Sequence, residues 1–177
     1  MKRRQFVTSV LAAGVAAPVL AAGQHDHGDD VSGPLANATV SFGQWKTTPP
    51  LDRFATPNPI TGNVHKIIPF DTKIKAGGTI NFIISGFHLV TVYGPGTVFD
   101  DLNPANPMLG TLPGAPPNFP PIVDDPTNRI FRGLNPLTVP QDRVENVNFA
   151  NPGRYLVVCT FLPHFQDRMF GYVTVLP

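Results

Sequence analysis

The chain has 177 residues, which is enough for one domain and a short leader. Of these residues 42% are hydrophobic and only 14% are charged, a composition too apolar for a disordered chain. Its 21 prolines and 16 glycines exclude a helical bundle, because proline removes a backbone donor and breaks helix interiors. A net charge of +1, without a basic stripe interleaved with aromatics, argues against a nucleic-acid partner. A single cysteine excludes an internal disulfide and a cysteine-rich zinc site.

Residues 1–22 have the three parts of an export signal: a basic start, a weakly apolar middle and small residues at the end. The run from Arg3 to Val7 resembles a twin-arginine signal, and an ordinary secretory signal is the alternative. The apolar run is shorter than the ~20 residues that span a bilayer, and Pro18 interrupts it. We therefore expect an exported, soluble, periplasmic protein without stable membrane insertion. Loss of the three basic residues in this segment leaves 10 basic and 12 acidic residues, a net charge of −2.

Residues 23–37 are small and polar, which predicts a flexible tail. If cleavage follows Ala22, the new amino terminus, two backbone amides and the His25 imidazole form a square-planar nitrogen site for Cu(II) or Ni(II). His25 and His27 are therefore candidates for a second metal site. A solvated acidic tail is the competing interpretation and the stronger one.

Residues 38–177 predict a single all-β domain. Strand-like runs separated by turn residues occupy residues 38–45, 64–69, 79–85, 88–93, 143–149, 154–159 and 171–176. Gly77-Gly78 is expected to turn the chain into the third run. Six or seven short strands with this punctuation favour an antiparallel β-sandwich.

Residues 95–140 interrupt this pattern with 11 prolines among 46 residues. They predict a long Pro-rich loop excursion, and loops of that length are uncommon unless they are functional or disordered. Three apolar residues are candidates for pinning it to the domain, namely Phe119, Ile122 and Phe131.

The segment that carries chemistry begins at the strand ending in Cys159. Strand alternation places Tyr155, Val157 and Cys159 on one face, and His164 and Met169 follow at intervals of five residues. Thiolate, imidazole and thioether form a soft donor set. With a second imidazole they match the His₂Cys plane and weak axial methionine of a blue-copper site.

The second imidazole must come from another strand. His88 opens the strong strand that follows Gly86, and is the candidate. His65 lies in a weaker run and is interpreted as a surface or core histidine.

Together these features resemble the cupredoxins, the copper electron carriers that include plastocyanin, azurin and rusticyanin. The resemblance covers residues 64–94 and 143–177, and the Cys-x4-His-x4-Met spacing is most like rusticyanin. It implies a Greek-key β-sandwich and one type 1 copper ion that cycles between Cu(I) and Cu(II). It also implies redox partners such as a cytochrome or a copper oxidoreductase. The ligands it implies are His88, Cys159, His164 and axial Met169.

Apolar residues surround the second histidine of this set. Phe161, Leu162, Pro163 and Phe165 predict a collar around His164 where a partner docks and electrons pass, and the same residues can also pack against the domain. In the family, an asparagine often follows the first histidine and braces the ligand loop. Leu89 stands at that position here, so the sequence does not show what would brace the loop.

Two other functions remain open at this stage. One is copper storage or delivery without a redox partner. The other is an enzyme with a red-copper centre that keeps an open coordination position. Val158 and Thr160 flank the cysteine where multicopper oxidases have histidines, so we expect an electron carrier and not an enzyme.

Overall fold

The computed structural model describes residues 35–51, 65–104 and 109–177. The predicted export signal, His25, His27 and all but the last three residues of the predicted tail lie outside these ranges. No helix among the described residues is long and apolar enough to cross a membrane. The elements are β1 (Leu35–Gly43), β2 (Ile67–Ile68), β3 (Asp71–Ser85), β4 (Val90–Tyr93), a 3-10 turn (Phe99–Asp101), β5 (Leu109–Gly110), β6 (Ile122–Val123), β7 (Arg129–Arg132), β8 (Arg143–Phe149), β9 (Gly153–Cys159), α1 (Leu162–Gln166) and β10 (Phe170–Leu176).

Eight of these strands form one hydrogen-bonded sheet in the order β2-β1-β3-β10-β9-β4-β7, with β8 paired to β3. The 15-residue β3 pairs with different strands along its length. Its residues 71–75 pair with β10, and its residues 78–84 pair with β8. Apolar side chains from β3 and from the strands on either side of it meet in one core. The all-β sandwich predicted from the sequence is therefore confirmed.

The sheet differs from the predicted antiparallel one in being mixed. Both β1 and β10 run parallel to β3, whereas β9 pairs antiparallel with β10 and β4. A parallel pair needs a crossover of a dozen or more residues. Residues 44–70, between β1 and β3, are long enough to provide one.

The Gly77-Gly78 pair lies inside β3 and does not start it. Gly77 has a φ of +79°, which favours glycine. A Cβ on Gly78 would lie 2.6 Å from the carbonyl oxygen of Ala36. The β1–β3 register shifts at the same level, between Leu35 and Asn37. The two glycines thus form an irregularity where one long strand changes partners.

The Pro-rich excursion packs on the sandwich. Phe119, Ile122 and Phe131 join the main core, as the sequence predicts. A second core lies on the other face of β9, and consists of Tyr93, Phe99, Leu102, Val123, Leu156, Val158 and Phe165. Because the excursion supplies three of these side chains, β9 is buried on both faces up to Cys159.

The main core makes a first test of this fold. Phe82 is fully buried and lies edge-on to Phe42, with ring centroids 6.2 Å apart. Phe82→Ala should lower the free energy of unfolding of the metal-free protein by about 3–5 kcal/mol, because the cavity relaxes only partly. Val144→Thr, on the exposed face of β8, is the control and should change it by less than about 0.5 kcal/mol. Urea unfolding measures both, and equal losses would contradict the core assignment.

Candidate metal centre

Strand pairing brings the predicted ligands together. Val90 at the start of β4 lies opposite Cys159 at the end of β9, so His88, two residues before Val90, lies beside the thiol. The chain then turns through α1, which carries His164. The loop closes because the N–H of Met169 donates to the carbonyl of His164 and the N–H of Cys159 donates to the carbonyl of Met169, both at 3.0 Å.

Three donor atoms converge in this buried position. His88 Nδ1 lies 3.0 Å from His164 Nδ1, and Cys159 Sγ lies 3.4 Å from His164 Nδ1 and 3.8 Å from His88 Nδ1. Among the described histidine, cysteine and acidic residues, these three form the group that can hold a metal ion. Their residues are only 2%, 0% and 8% exposed for His88, Cys159 and His164.

The size of this triangle matches one metal ion. A triangle with sides of 3.0, 3.4 and 3.8 Å has its centre about 2 Å from each corner, which is the length of a metal bond to imidazole nitrogen. Two imidazoles and a thiolate in one plane are the donor set of a blue-copper centre. The group therefore fits a single type 1 copper ion.

Met169 is fully buried in the main core beside this group. Its backbone bonds to both Cys159 and His164 fix its position in the ligand loop. Axial binding by its sulfur remains a prediction.

Burial keeps the metal-free donors neutral. Burial raises the pKa of the Cys159 thiol to about 12, although backbone N–H groups of Leu89 and Phe161 oppose this by favouring the thiolate. Burial lowers the pKa of His164 to about 3, and burial followed by the proximity of His164 lowers the pKa of His88 well below 6.5. Both imidazoles are thus uncharged at neutral pH, and each has one nitrogen lone pair that a metal can use, whereas the thiol must lose its proton when a metal binds.

Backbone groups of Leu89 connect the His88 segment to the Cys159 segment in place of an asparagine side chain. The Leu89 N–H points at Cys159 Sγ, 3.5 Å away, and the Leu89 carbonyl accepts from the N–H of Thr160 at 3.2 Å. The buried hydroxyls of Thr91 and Thr160 also bond at 2.9 Å. The two ligand strands are therefore tied together without an asparagine side chain.

Gly43 lies against the outer edge of the His88 ring, and the sequence analysis missed it. Its φ is +100°, and a Cβ there would lie 2.4 Å from His88 Nε2 and 2.3 Å from the Ser85 carbonyl oxygen. The neighbouring Phe42 ring lies edge-on to the same imidazole at 5.7 Å. A glycine at the end of an apolar strand was the available signal, and it does not by itself point to a distant histidine.

His65 covers the second imidazole ligand. Its ring lies 3.9 Å from that of His164, tilted by 30°, and its Nδ1 pairs with the carboxylate of Asp167. It is not one of the three converging donors. The sequence analysis did not identify this contact, because only the fold brings residue 65 next to residues 164 and 167, which are distant from it in the chain.

The predicted collar around His164 is divided between surface and core. Leu162 and Pro163 are partly exposed, so they remain available to a partner. Phe165 is only 4% exposed and stacks on Phe99 at 4.5 Å in the second core. Phe165 therefore packs in the interior, and a docking role for it remains a prediction.

No protein-family model and no curated protein sequence matches the chain. Among solved structures, it is similar to reduced auracyanin from Roseiflexus castenholzii, with a TM-score of 0.46 and 19% identity over 82% of this chain and 100% of that one. It is also similar to pseudoazurin from Hyphomicrobium denitrificans, with a TM-score of 0.39 and 15% identity over 78% and 74%. A copper-containing nitrite reductase from Thermus scotoductus gives a TM-score of 0.35 and 15% identity over 80% of this chain and 22% of that one.

The resemblance to the cupredoxins is confirmed. What supports it is the chain's own architecture, an all-β sandwich in which His88 and Cys159 lie side by side at the ends of the paired strands β4 and β9 and His164 joins them from α1.

The lowered histidine pKa values predict acid sensitivity of the metal-free protein. The pKa of His164 is about 3 when folded, against 6.5 in a model peptide, so the unfolded chain binds more protons between these values. The free energy of unfolding should therefore fall as pH decreases below 6.5, by about 1.4 kcal/mol per pH unit for this histidine. Urea unfolding at pH 7, 6 and 5 measures the slope, and His164→Gln should make it shallower. An equal slope in the variant would contradict the prediction.

Proposed function

We propose that the chain is a mononuclear type 1 copper protein that carries one electron. His88, Cys159 and His164 are its equatorial ligands and Met169 its axial ligand. The observation that carries this proposal is the buried triangle of two imidazole nitrogens and one sulfur, sized for a single ion. Bound copper supplies the chemistry, a reversible one-electron change between Cu(I) and Cu(II).

The protein's own contribution is to hold the donors still. The three ligands come from the β3–β4 connection, β9 and α1, and backbone hydrogen bonds join them. Donors held in place before and after an electron moves need little rearrangement, which suits electron carriage. Aromatic rings close the site to water: Phe161 lies 4.9 Å from the His164 ring, and Phe87 lies 4.9 Å from Phe161. Such dry surroundings disfavour the more highly charged Cu(II) state, so we expect a fairly high reduction potential.

The same burial favours a carrier over an enzyme. A red-copper enzyme needs an open coordination position, whereas here Phe161, Phe42 and His65 cover the two imidazoles and Cys159 is fully buried. Electrons then leave through the covered edge of His164. Leu162, Pro163 and His65 form the partly exposed surface over it, where a cytochrome or a copper oxidoreductase would dock.

Export and domain organisation are part of the same proposal and rest on sequence pattern. Residues 1–22 direct the chain to the periplasm as a twin-arginine-type signal, and the domain follows the short tail. β1 begins at Leu35, within residues 23–37 that the sequence predicts as the tail. A nitrogen site at His25 and His27 remains a separate, weaker hypothesis.

Spectroscopy of the exported protein loaded with one Cu(II) tests the proposal. We expect an intense thiolate-to-copper absorption band and narrow hyperfine splitting in electron paramagnetic resonance. Cys159→Ser removes the sulfur donor and should abolish both features. Weak colour and ordinary splitting in the wild-type protein would contradict the proposal. Ready transfer of copper to a chelator without electron exchange with a cytochrome would favour storage or delivery.

The axial ligand is tested by paired substitutions. Met169→Gln offers a harder oxygen donor, which stabilises Cu(II) and should lower the reduction potential. Met169→Leu removes the donor at similar volume and should raise it. Redox titration followed at the thiolate-to-copper band measures both. Potentials that stay at the wild-type value in the two variants would show that Met169 does not bind the copper.

A further inference from the structure

Arg143 and Glu145 form a buried ion pair next to the proposed copper site. Their side chains are only 7% and 4% exposed, and Arg143 Nε donates to Glu145 Oε1 at 2.7 Å. The same guanidinium donates through Nη2 to the carbonyl oxygen of His88, also at 2.7 Å. Removing two charges from water costs several kcal/mol per ion, and their attraction offsets this only in good geometry. A buried pair is therefore weak evidence of added stability, and its contact with a ligand residue suggests another role.

Arg143 and Glu145 occupy inward positions of β8, where strand alternation predicts apolar side chains. Along β8, Arg143, Glu145, Val147 and Phe149 alternate with the more exposed Val144, Asn146 and Asn148. Val147 and Phe149, on the inward face, belong to the main core. The two charged residues occupy the same row at the end nearest His88. The row thus changes from apolar to charged where it reaches the proposed metal centre.

The end of the Pro-rich excursion holds Glu145 from the other side. Glu145 Oε2 accepts from the N–H of Leu134 at 3.2 Å. Gly133 is needed for this approach, because a Cβ there would lie 2.2 Å from Glu145 Oε2. The N–H of Gly133 in turn donates to the carbonyl of Val90 at 2.7 Å. A continuous series of contacts therefore runs from the excursion through Glu145 and Arg143 to His88.

We propose that Arg143 is a positioning residue for His88, held in place by Glu145 and by the end of the excursion. This inference rests on the proposed function, since it assigns a role within the same site. The planar guanidinium donates in fixed directions, so its bond to the His88 carbonyl fixes the backbone from which the imidazole projects. His88 Nδ1 is thereby kept at its distances from Cys159 and His164 before a metal ion arrives.

The experiment separates positioning from plain structural support. Replacing a buried ion pair by apolar residues of similar volume is often neutral or stabilising. The double variant Arg143→Met/Glu145→Leu should therefore keep the urea unfolding midpoint of the metal-free protein. Its Cu(II) affinity, measured by competition with a chelator, should fall about tenfold or more, as is typical when a group that orients a ligand is lost. The hyperfine splitting should also change, because His88 is no longer fixed.

Further variants make the test specific. Arg143→Lys keeps the charge but not the two-directional contact, and should give an intermediate affinity. Gly133→Ala displaces the Glu145 carboxylate from the far side and should weaken copper binding without touching the ligands. Arg132→Met on β7, which removes a 2.7 Å contact to Asp124, is the matched control and should leave affinity and spectrum unchanged.

The outcomes distinguish this inference from the proposed function. A wild-type protein without the thiolate-to-copper band overturns both. A wild-type band together with unchanged copper affinity and splitting in the double variant overturns the positioning role alone. If the double variant does not fold, Gly133→Ala decides, and wild-type affinity in that variant overturns the role.

Discussion

The pairing of β4 with β9 is the interaction on which the rest of the site depends. It sets Val90 opposite Cys159, and Leu89, just before β4, extends the contact by donating its N–H to Cys159 Sγ and accepting from the N–H of Thr160. Since the strand pairing and the bond between Thr160 and Leu89 use main-chain groups on both sides, the distance between thiol and first imidazole follows from the sheet register. The register is itself held by two cores, one on each face of β9.

The buried donor groups are neutral without a metal and can still bind a cation. The surroundings that lower the histidine pKa values also raise that of Cys159 to about 12, so the metal-free site carries neutral groups where charges would be unfavourable. A cation that binds there replaces the thiol proton and leaves less net charge than an isolated ion would. The N–H groups of Leu89 and Phe161 point toward the sulfur and favour its thiolate form. The metal-free site thus avoids buried charge, and its donors are suited to a thiolate-bound cation.

The strands and most of the donor group were predictable because both follow from short-range patterns. Residues 143–149 alternate cleanly and form β8 as predicted, and one loop carries Cys159 and His164. The prediction failed where long-range contacts decide. Gly77-Gly78 suggested a strand start, yet β3 begins at Asp71 because its first residues pair with β10 from the far end of the chain. The contacts of Gly43 and His65 with the histidines likewise depend on distant segments meeting.

The Pro-rich excursion belongs to the metal centre as much as to the surface. Its described part contains only the short strands β5, β6 and β7, of which β7 pairs with β4, and elsewhere it covers the sandwich through scattered apolar side chains and a few backbone bonds. Ile122 pairs with Phe161, the residue that precedes α1, and the Thr160 carbonyl accepts from the N–H of Val123. At its other end it reaches Glu145 through Leu134. Both halves of the ligand set are therefore contacted by one segment, His164 through the start of α1 and His88 through Arg143. We therefore expect the geometry of the proposed copper site to depend on this segment as well as on the strands that carry the donors.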